Sequence, residues 1–155
     1  MKSAGLLVFR RKGPVPEVFL AHMGGPFWRN KDAGAWTIPK GEFRDEAPFD
    51  AAMREFREET GLVPAGNFVE LAPCKQASGK VIHAFAVEWD CDASNITSNT
   101  FPLEWPKGSG RIQEFPEVDR AGWFTLDQAA EKIVKGQIPL LDQLRALLSS
   151  QAASK

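Results

Sequence analysis

The sequence predicts an α/β domain built around a mixed β-sheet. Two observations carry this. Short runs rich in β-forming residues recur along most of the chain, and only three helical stretches are interleaved with or follow them. The length of 155 residues suits one domain, which at this size buries roughly 70% of its unfolded surface. The expected domain spans residues 1–150, with 151–155 as a frayed tail.

Residues 3–11 and 17–23 are apolar and separated by the turn-rich KGPVP, so both read as strands. Residues 24–34, opening with Gly24-Gly25-Pro26, read as a loop. Residues 35–38 form a short strand stopped by Pro39. Residues 48–60 read as a helix, because Pro48 suits a first turn and Gly61 the position just past the end. Two further strands are expected over 67–76 and 80–89. Residues 92–110 are polar and rich in Pro and Gly, which predicts a long loop. A short strand follows at 121–124, then helices at 126–135 and 139–149. In the last helix Ile138, Leu140, Leu141, Leu144, Leu147 and Leu148 read as core packing.

Composition narrows the function. A formal net charge of -1 argues against nonspecific nucleic-acid binding, which needs a basic excess. It leaves room for a small anionic ligand held by a few residues and a metal. No apolar run approaches the ~18 residues of a membrane span. Arg10, Arg11 and Lys12 interrupt the apolar start, so no signal peptide is read. Cys74 and Cys91 make no disulfide or metal framework, and a cytoplasmic setting is expected.

The informative segment is the helix at 48–60. Phe49, Ala52, Met53, Phe56 and Thr60 share the face that should pack on the sheet. Glu55, Glu58 and Glu59, spaced i, i+3, i+4, form a stripe beside it. As pure structure this stripe is unfavourable. Like charges at such spacings cost about 0.2–0.5 kcal/mol per pair, and the helix dipole disfavours anions near the C-terminus. A divalent cation reverses both effects, and magnesium prefers hard oxygen ligands shared with phosphates. The bland alternative is a solvated acidic face paired with Arg54 and Arg57.

The surrounding residues decide between these. Glu46 is followed by seven residues and then Arg54-Glu55-Phe56-Arg57-Glu58-Glu59-Thr60-Gly61-Leu62. This resembles the signature of the Nudix hydrolase family at every one of those fixed positions. One departure exists: four residues separate Gly41 from Glu46 where the family pattern has five. The flanks SAGLLVFR, WTIPKGE and EFPEVDRAGWFTLDQA also resemble the family. The resemblance implies an α/β/α sandwich around a mixed sheet. It implies Glu55, Glu58 and Glu59 as metal-binding carboxylates, with Glu46 and Arg54 orienting loop and helix. Gly41 would bring backbone close to metal and phosphate, since it has no Cβ. A further Glu outside the signature often assists in this family, and Glu117 and Glu114 are the candidates.

The implied reaction is magnesium-dependent attack of water on phosphorus in the diphosphate of a nucleoside diphosphate derivative, such as a dinucleoside polyphosphate or nucleoside triphosphate. Manganese is a possible substitute. Such chemistry relies on positioning and charge stabilisation. Glu55 or the outside Glu could act as base. Lys40, Lys107 or Arg111 could offset phosphate charge. His83 on an alternating strand faces either core or cleft, and Phe27 and Trp28 either stack on a base or pack. The alternatives are a catalytically weak nucleotide-binding module and an RNA 5′-end pyrophosphohydrolase. No membrane partner is expected, and the chain is read as a monomer or homodimer.

Overall fold

A computed structural model describes residues 1–153. The main sheet has eight strands: β1 (Lys2–Arg10), β2 (Glu17–Met23), β3 (Trp36–Thr37), β4 (Lys40–Glu42), β5 (Phe68–Glu70), β6 (Cys74–Lys75), β7 (Val81–Glu88) and β10 (Val118–Thr125). Its backbone order is β10-β2-β1-β7-β5. β1 and β7 run parallel from Lys2↔Val81 to Phe9↔Glu88, while the other pairings are antiparallel. The expected mixed sheet is therefore present.

The feature that positions the site is a split in this sheet. β1 and β2 pair only at Phe9↔Val18 and Arg10↔Glu17. Beyond that they part, and the segment from β3 to β4 enters between them. β3 takes up pairing with β2 at Ala21 and His22, and β4 pairs with β1 from Ser3 to Gly5. The backbone polar groups freed by the split are thus paired again.

Side chains alternate across the sheet and build two cores. On one face Ala4, Leu6, Val8, Phe19, Phe85 and Val87 meet Ala51, Ala52 and Phe56 of helix α1 (Pro48–Thr60). On the other, Leu7, Leu20, Ile38, Ile82 and Ala84 meet α2 (Leu126–Lys132) and α3 (Ile138–Ala153). The result is an α/β/α sandwich. Phe56 is fully buried, its ring 5.4 Å from that of Phe19, and such burial contributes roughly 1.5–3 kcal/mol. Leu140, Leu141, Leu144 and Leu148 lie in the core as expected.

Several boundaries differ from the sequence reading. The 67–76 strand is two short strands, interrupted at Leu71-Ala72-Pro73. The expected loop at 92–110 contains β8 (Thr100–Glu104), which pairs with β9 (Ile112–Pro116) as a separate hairpin. The 121–124 strand extends over all of β10. α2 stops at Lys132, and a short 3-10 turn, Lys135–Gln137, leads into α3. That helix continues to Ala153, into the segment expected as a tail; 154–155 lie outside the described residues.

Candidate active site

Helix α1 begins with Pro48 in its first turn and ends at Gly61, which adopts φ 76° and donates its N–H to the Arg57 carbonyl at 2.7 Å. A helix leaves its last carbonyls without partners, and here the segment 97–99 supplies them. Thr97 N–H donates to the Thr60 carbonyl at 2.9 Å, and Asn99 N–H to the Glu58 carbonyl at 2.8 Å. The Asn99 carbonyl then accepts from the Glu117 N–H at 2.9 Å. One residue, Asn99, therefore ties the backbone of Glu58 to that of Glu117. This link sets a carboxylate from outside the signature beside the acidic stripe, and local sequence carries no signal for it.

Arg54 organises the helix side of the site. Its Nη2 donates to Glu46 Oε1 at 2.6 Å and its Nε to both Glu46 oxygens at 3.1 and 3.0 Å. Its Nη1 donates to Glu55 at 2.8 Å and to Glu58 at 3.2 Å. The hydrogen bonds that Arg54 donates to Glu46, ahead of the one it donates to Glu55, raise the Arg54 pKa, and Arg54 in turn lowers that of Glu46. The shorter loop between Gly41 and Glu46 does not prevent Glu46 from reaching Arg54.

Gly41 lies against Glu55. A Cβ at Gly41 would overlap the Glu55 carboxyl carbon and both its oxygens, so any larger residue here would push the Glu55 carboxylate from its place. Glu59 is buried, at 9% exposure. Desolvation, and next the charge of Glu55, push its pKa up to about 8, against the opposing effects of Lys40 and of the Lys40 N–H that donates to it. Burial likewise raises Glu55, and it lowers Lys40. Residue 117 is exposed overall yet lines a cleft, and partial desolvation, then the charge on Glu58, raise the pKa of its carboxyl.

That cleft has a volume of about 360 Å³ and is lined by Lys40, Glu59 and Glu117 together with Met23, Trp28, Thr37, Gln76, Val118, Val134 and Gln137. Among the described residues no three acidic, histidine or cysteine side chains close on a common point as a metal cage; Arg54 instead draws Glu55 and Glu58 to itself. The donor set still fits a hard divalent cation. Crowded carboxylate oxygens, a buried carboxyl raised to about 8 by desolvation and a neighbouring charge, and a Gly41 backbone that leaves room for them are all relieved by positive charge.

The other sequence candidates fall in different places. Glu114 is exposed on β9, opposite Pro102 and outside the cleft lining. Lys107 and Arg111 lie at the tip of the β8–β9 hairpin, where the Arg111 carbonyl accepts from Trp105 N–H at 2.9 Å. Neither residue lines the cleft. His83 packs edge-on to Phe43, ring centres 5.9 Å apart, and does not line the cleft. Phe27 is exposed and meets Trp105, whereas Trp28 lines the cleft. Sequence reasoning missed Gln76, Thr37 and Gln137, which come from three distant segments.

Fold and site together describe an α/β/α domain with an acidic helix at the edge of a cleft. A family model described as NUDIX domain matches residues 1–144, and the chain belongs to the Nudix family, whose members generally use divalent cations. Solved structures share the fold. An Ap4A hydrolase of C. elegans, solved as a binary complex, superposes with a TM-score of 0.67 at 20% identity, covering 96% of this chain and 98% of that one. The Nudix domain of NrtR from Shewanella oneidensis, solved with ADP ribose, gives 0.65 at 18% identity over 96% and 88%. The same NrtR solved with a 27mer DNA gives 0.60 at 18% identity over 97% and 63%. The fold thus occurs in a protein solved with DNA, and only the net charge of -1 speaks against a nucleic-acid partner here. No helix among the described residues is long and apolar enough to cross a membrane.

Proposed function

We propose that this protein is a hydrolase that cuts a diphosphate linkage in a nucleotide-like substrate by attack of water on phosphorus. The observation that carries this reading is the grouping of Glu55, Glu58, Glu59 and Glu117, whose charges act on one another and of which Glu59 and Glu117 line a cleft, in a chain that keeps every carboxylate of the family signature. Loss of one of them would favour a binding module without turnover.

In this reading Glu55, Glu58 and Glu59 hold magnesium or manganese, which when bound neutralises phosphate oxygens and acidifies water. Arg54 fixes the directions of Glu55 and Glu58 while itself anchored by Glu46. Gly41 lets the backbone approach the phosphates, and Lys40, on the cleft lining, offsets their charge. The water oxygen bonds to phosphorus, and the bond to the bridging oxygen breaks with its electron pair leaving on the departing phosphate. Glu117 receives the water proton. It suits that role better than Glu55, because Glu55 is engaged by Arg54 at 2.8 Å, whereas the Glu117 carboxyl has no hydrogen-bond partner among the described residues.

The test is a panel of nucleoside triphosphates, dinucleoside polyphosphates and nucleotide sugars incubated with magnesium, with products quantified. Turnover of at least one substrate is expected, reduced by orders of magnitude in Glu58→Gln and Glu59→Gln with the fold retained. Full turnover in both variants would show that these carboxylates do not carry the reaction.

A further inference from the structure

His22 on β2 is fully buried, and the reaction proposed above makes no use of it. Its ring is held from both sides. Nδ1 lies 2.8 Å from Asp119 Oδ1, and Nε2 lies 2.6 Å from the Lys31 carbonyl oxygen. A carboxylate and a backbone carbonyl accept hydrogen bonds and donate none. A neutral imidazole has one N–H and one bare nitrogen, so it would set a lone pair against one of these two oxygens. Both contacts are hydrogen bonds only if both nitrogens carry hydrogen. The ring is then positive, and Asp119 supplies the negative charge that makes its burial tolerable. The other charged groups nearby are engaged elsewhere. Arg120 reaches Asp119 at 3.7 Å and lies over the Trp36 ring at 5.3 Å, and the Lys31 ammonium lies over Trp28 at 5.2 Å. Trp36 meets His22 edge-on at 5.1 Å, and its Nε1 donates to Asp32, which also binds Lys132.

Each group that meets this ring adjoins the cleft. His22 itself precedes Met23, and Asp119 follows Val118 and stands two residues from Glu117. Lys31 closes a turn in which its N–H donates to the Trp28 carbonyl at 3.0 Å. Met23, Trp28, Glu117 and Val118 all line the cleft. Asp119 is also where the strand register slips. Val118 pairs with Met23 and Arg120 with His22, which leaves Asp119 as an extra residue in β10. A bulge resets the alternation of side chains beyond it, so holding Asp119 there sets the direction in which the preceding segment presents Glu117. The Gly24 N–H, two residues after His22, donates to the Glu117 carbonyl at 2.9 Å and ties the same two segments again. Building on the hydrolase reading, in which Glu117 receives the water proton, we propose that His22, carrying hydrogen on both ring nitrogens, is a positioning residue. It fixes Glu117 through Asp119 and the Trp28 loop through Lys31.

The experiment is nuclear magnetic resonance on the full chain labelled with nitrogen-15 in histidine. The sequence has two histidines, His22 and His83, so a His83→Gln variant identifies the His22 signals. At neutral pH both His22 ring nitrogens are expected to show the shift of a hydrogen-bearing nitrogen; a bare nitrogen on that ring would overturn the assignment. Asp119→Asn keeps an oxygen acceptor and removes the charge. In this variant the Gly24 and Glu117 amides should exchange with solvent about tenfold or more faster. With the best substrate of the nucleotide panel, its kcat should fall about tenfold or more while KM stays within roughly threefold. Should Asp119→Asn fail to fold, Asp119→Glu, which keeps the charge on a longer arm, carries the same comparison. Wild-type exchange at both amides would overturn the positioning role, and so would a wild-type kcat. Faster exchange in a protein that hydrolyses nothing would sink the hydrolase reading and leave His22 as the residue that fixes Glu117; turnover in the wild type with exchange and kcat unaltered by the substitution would do the reverse.

Discussion

Replacing Gly41 by alanine separates stability from function. The added Cβ would overlap the Glu55 carboxyl group, which must retreat by roughly 1 Å to restore ordinary contact. Gly41 does not have the positive φ that would strain an alanine backbone, so the conflict is steric and falls on the far end of a flexible side chain. The Arg54–Glu55 hydrogen bond at 2.8 Å is lost or lengthened. Both partners retain some solvent exposure, 30% and 13%, so the stability cost is expected to stay below about 1 kcal/mol. Catalysis is less forgiving, since a misplacement of ~1 Å in a reacting constellation can cost 10²-fold. The assay pairs a thermal melt with steady-state hydrolysis of the best substrate from the nucleotide panel. A Gly41→Ala variant that melts within a few degrees of wild type and loses about two orders of magnitude in kcat/KM agrees with the reasoning. Turnover within a few-fold of wild type would refute it, because Glu55 would then tolerate displacement from the position the structure gives it.

Other expectations follow from particular contacts. Glu117→Gln should lower kcat by about 10²–10⁴, the usual contribution of a general base, while Glu114→Gln, exposed on β9, should leave it unchanged; equal effects in side-by-side kinetics would contradict the choice of Glu117. Asp90 has its pKa lowered first by the hydrogen bond from Arg10. A depressed folded-state pKa contributes stability above the unfolded value, near 3.9, and that stability disappears as pH falls through the folded value. Asp90→Asn should therefore melt slightly below wild type at neutral pH, by less than about 1 kcal/mol given the exposure of the pair. The gap should close on acidification below roughly pH 4, and melting curves across pH that stay parallel would exclude this linkage.

The sequence foretells α1 to the residue because its ends carry strong signals: a proline that presets the first turn and a glycine that takes the left-handed cap. β1 and β2 were legible as apolar runs flanking a turn. β4 was not, since Lys40-Gly41-Glu42 is too short and polar to read as a strand and is defined by the gap between β1 and β2. The β8–β9 hairpin was hidden by Pro102 and by exposure on alternate residues, which leaves only Phe101 and Leu103 as apolar signals on β8. This explains Arg111. Composition places a cation in a loop near the site, but only the hairpin shows that it sits at the distal tip. The carboxylate stripe was readable from helical spacing, whereas the burial of Glu59 and the choice of Glu117 over Glu114 depend on Lys40 and Asn99, contacts made across the chain.

The central claim is that the acidic stripe of α1 exists to hold a divalent cation. Titrating manganese into the full chain in the presence of ADP, followed by the paramagnetic signal of the free ion, tests it directly. The account predicts saturable binding that is abolished or greatly weakened in Glu58→Gln and Glu59→Gln. Binding of equal strength in wild type and both variants, or none in any of them, would contradict it.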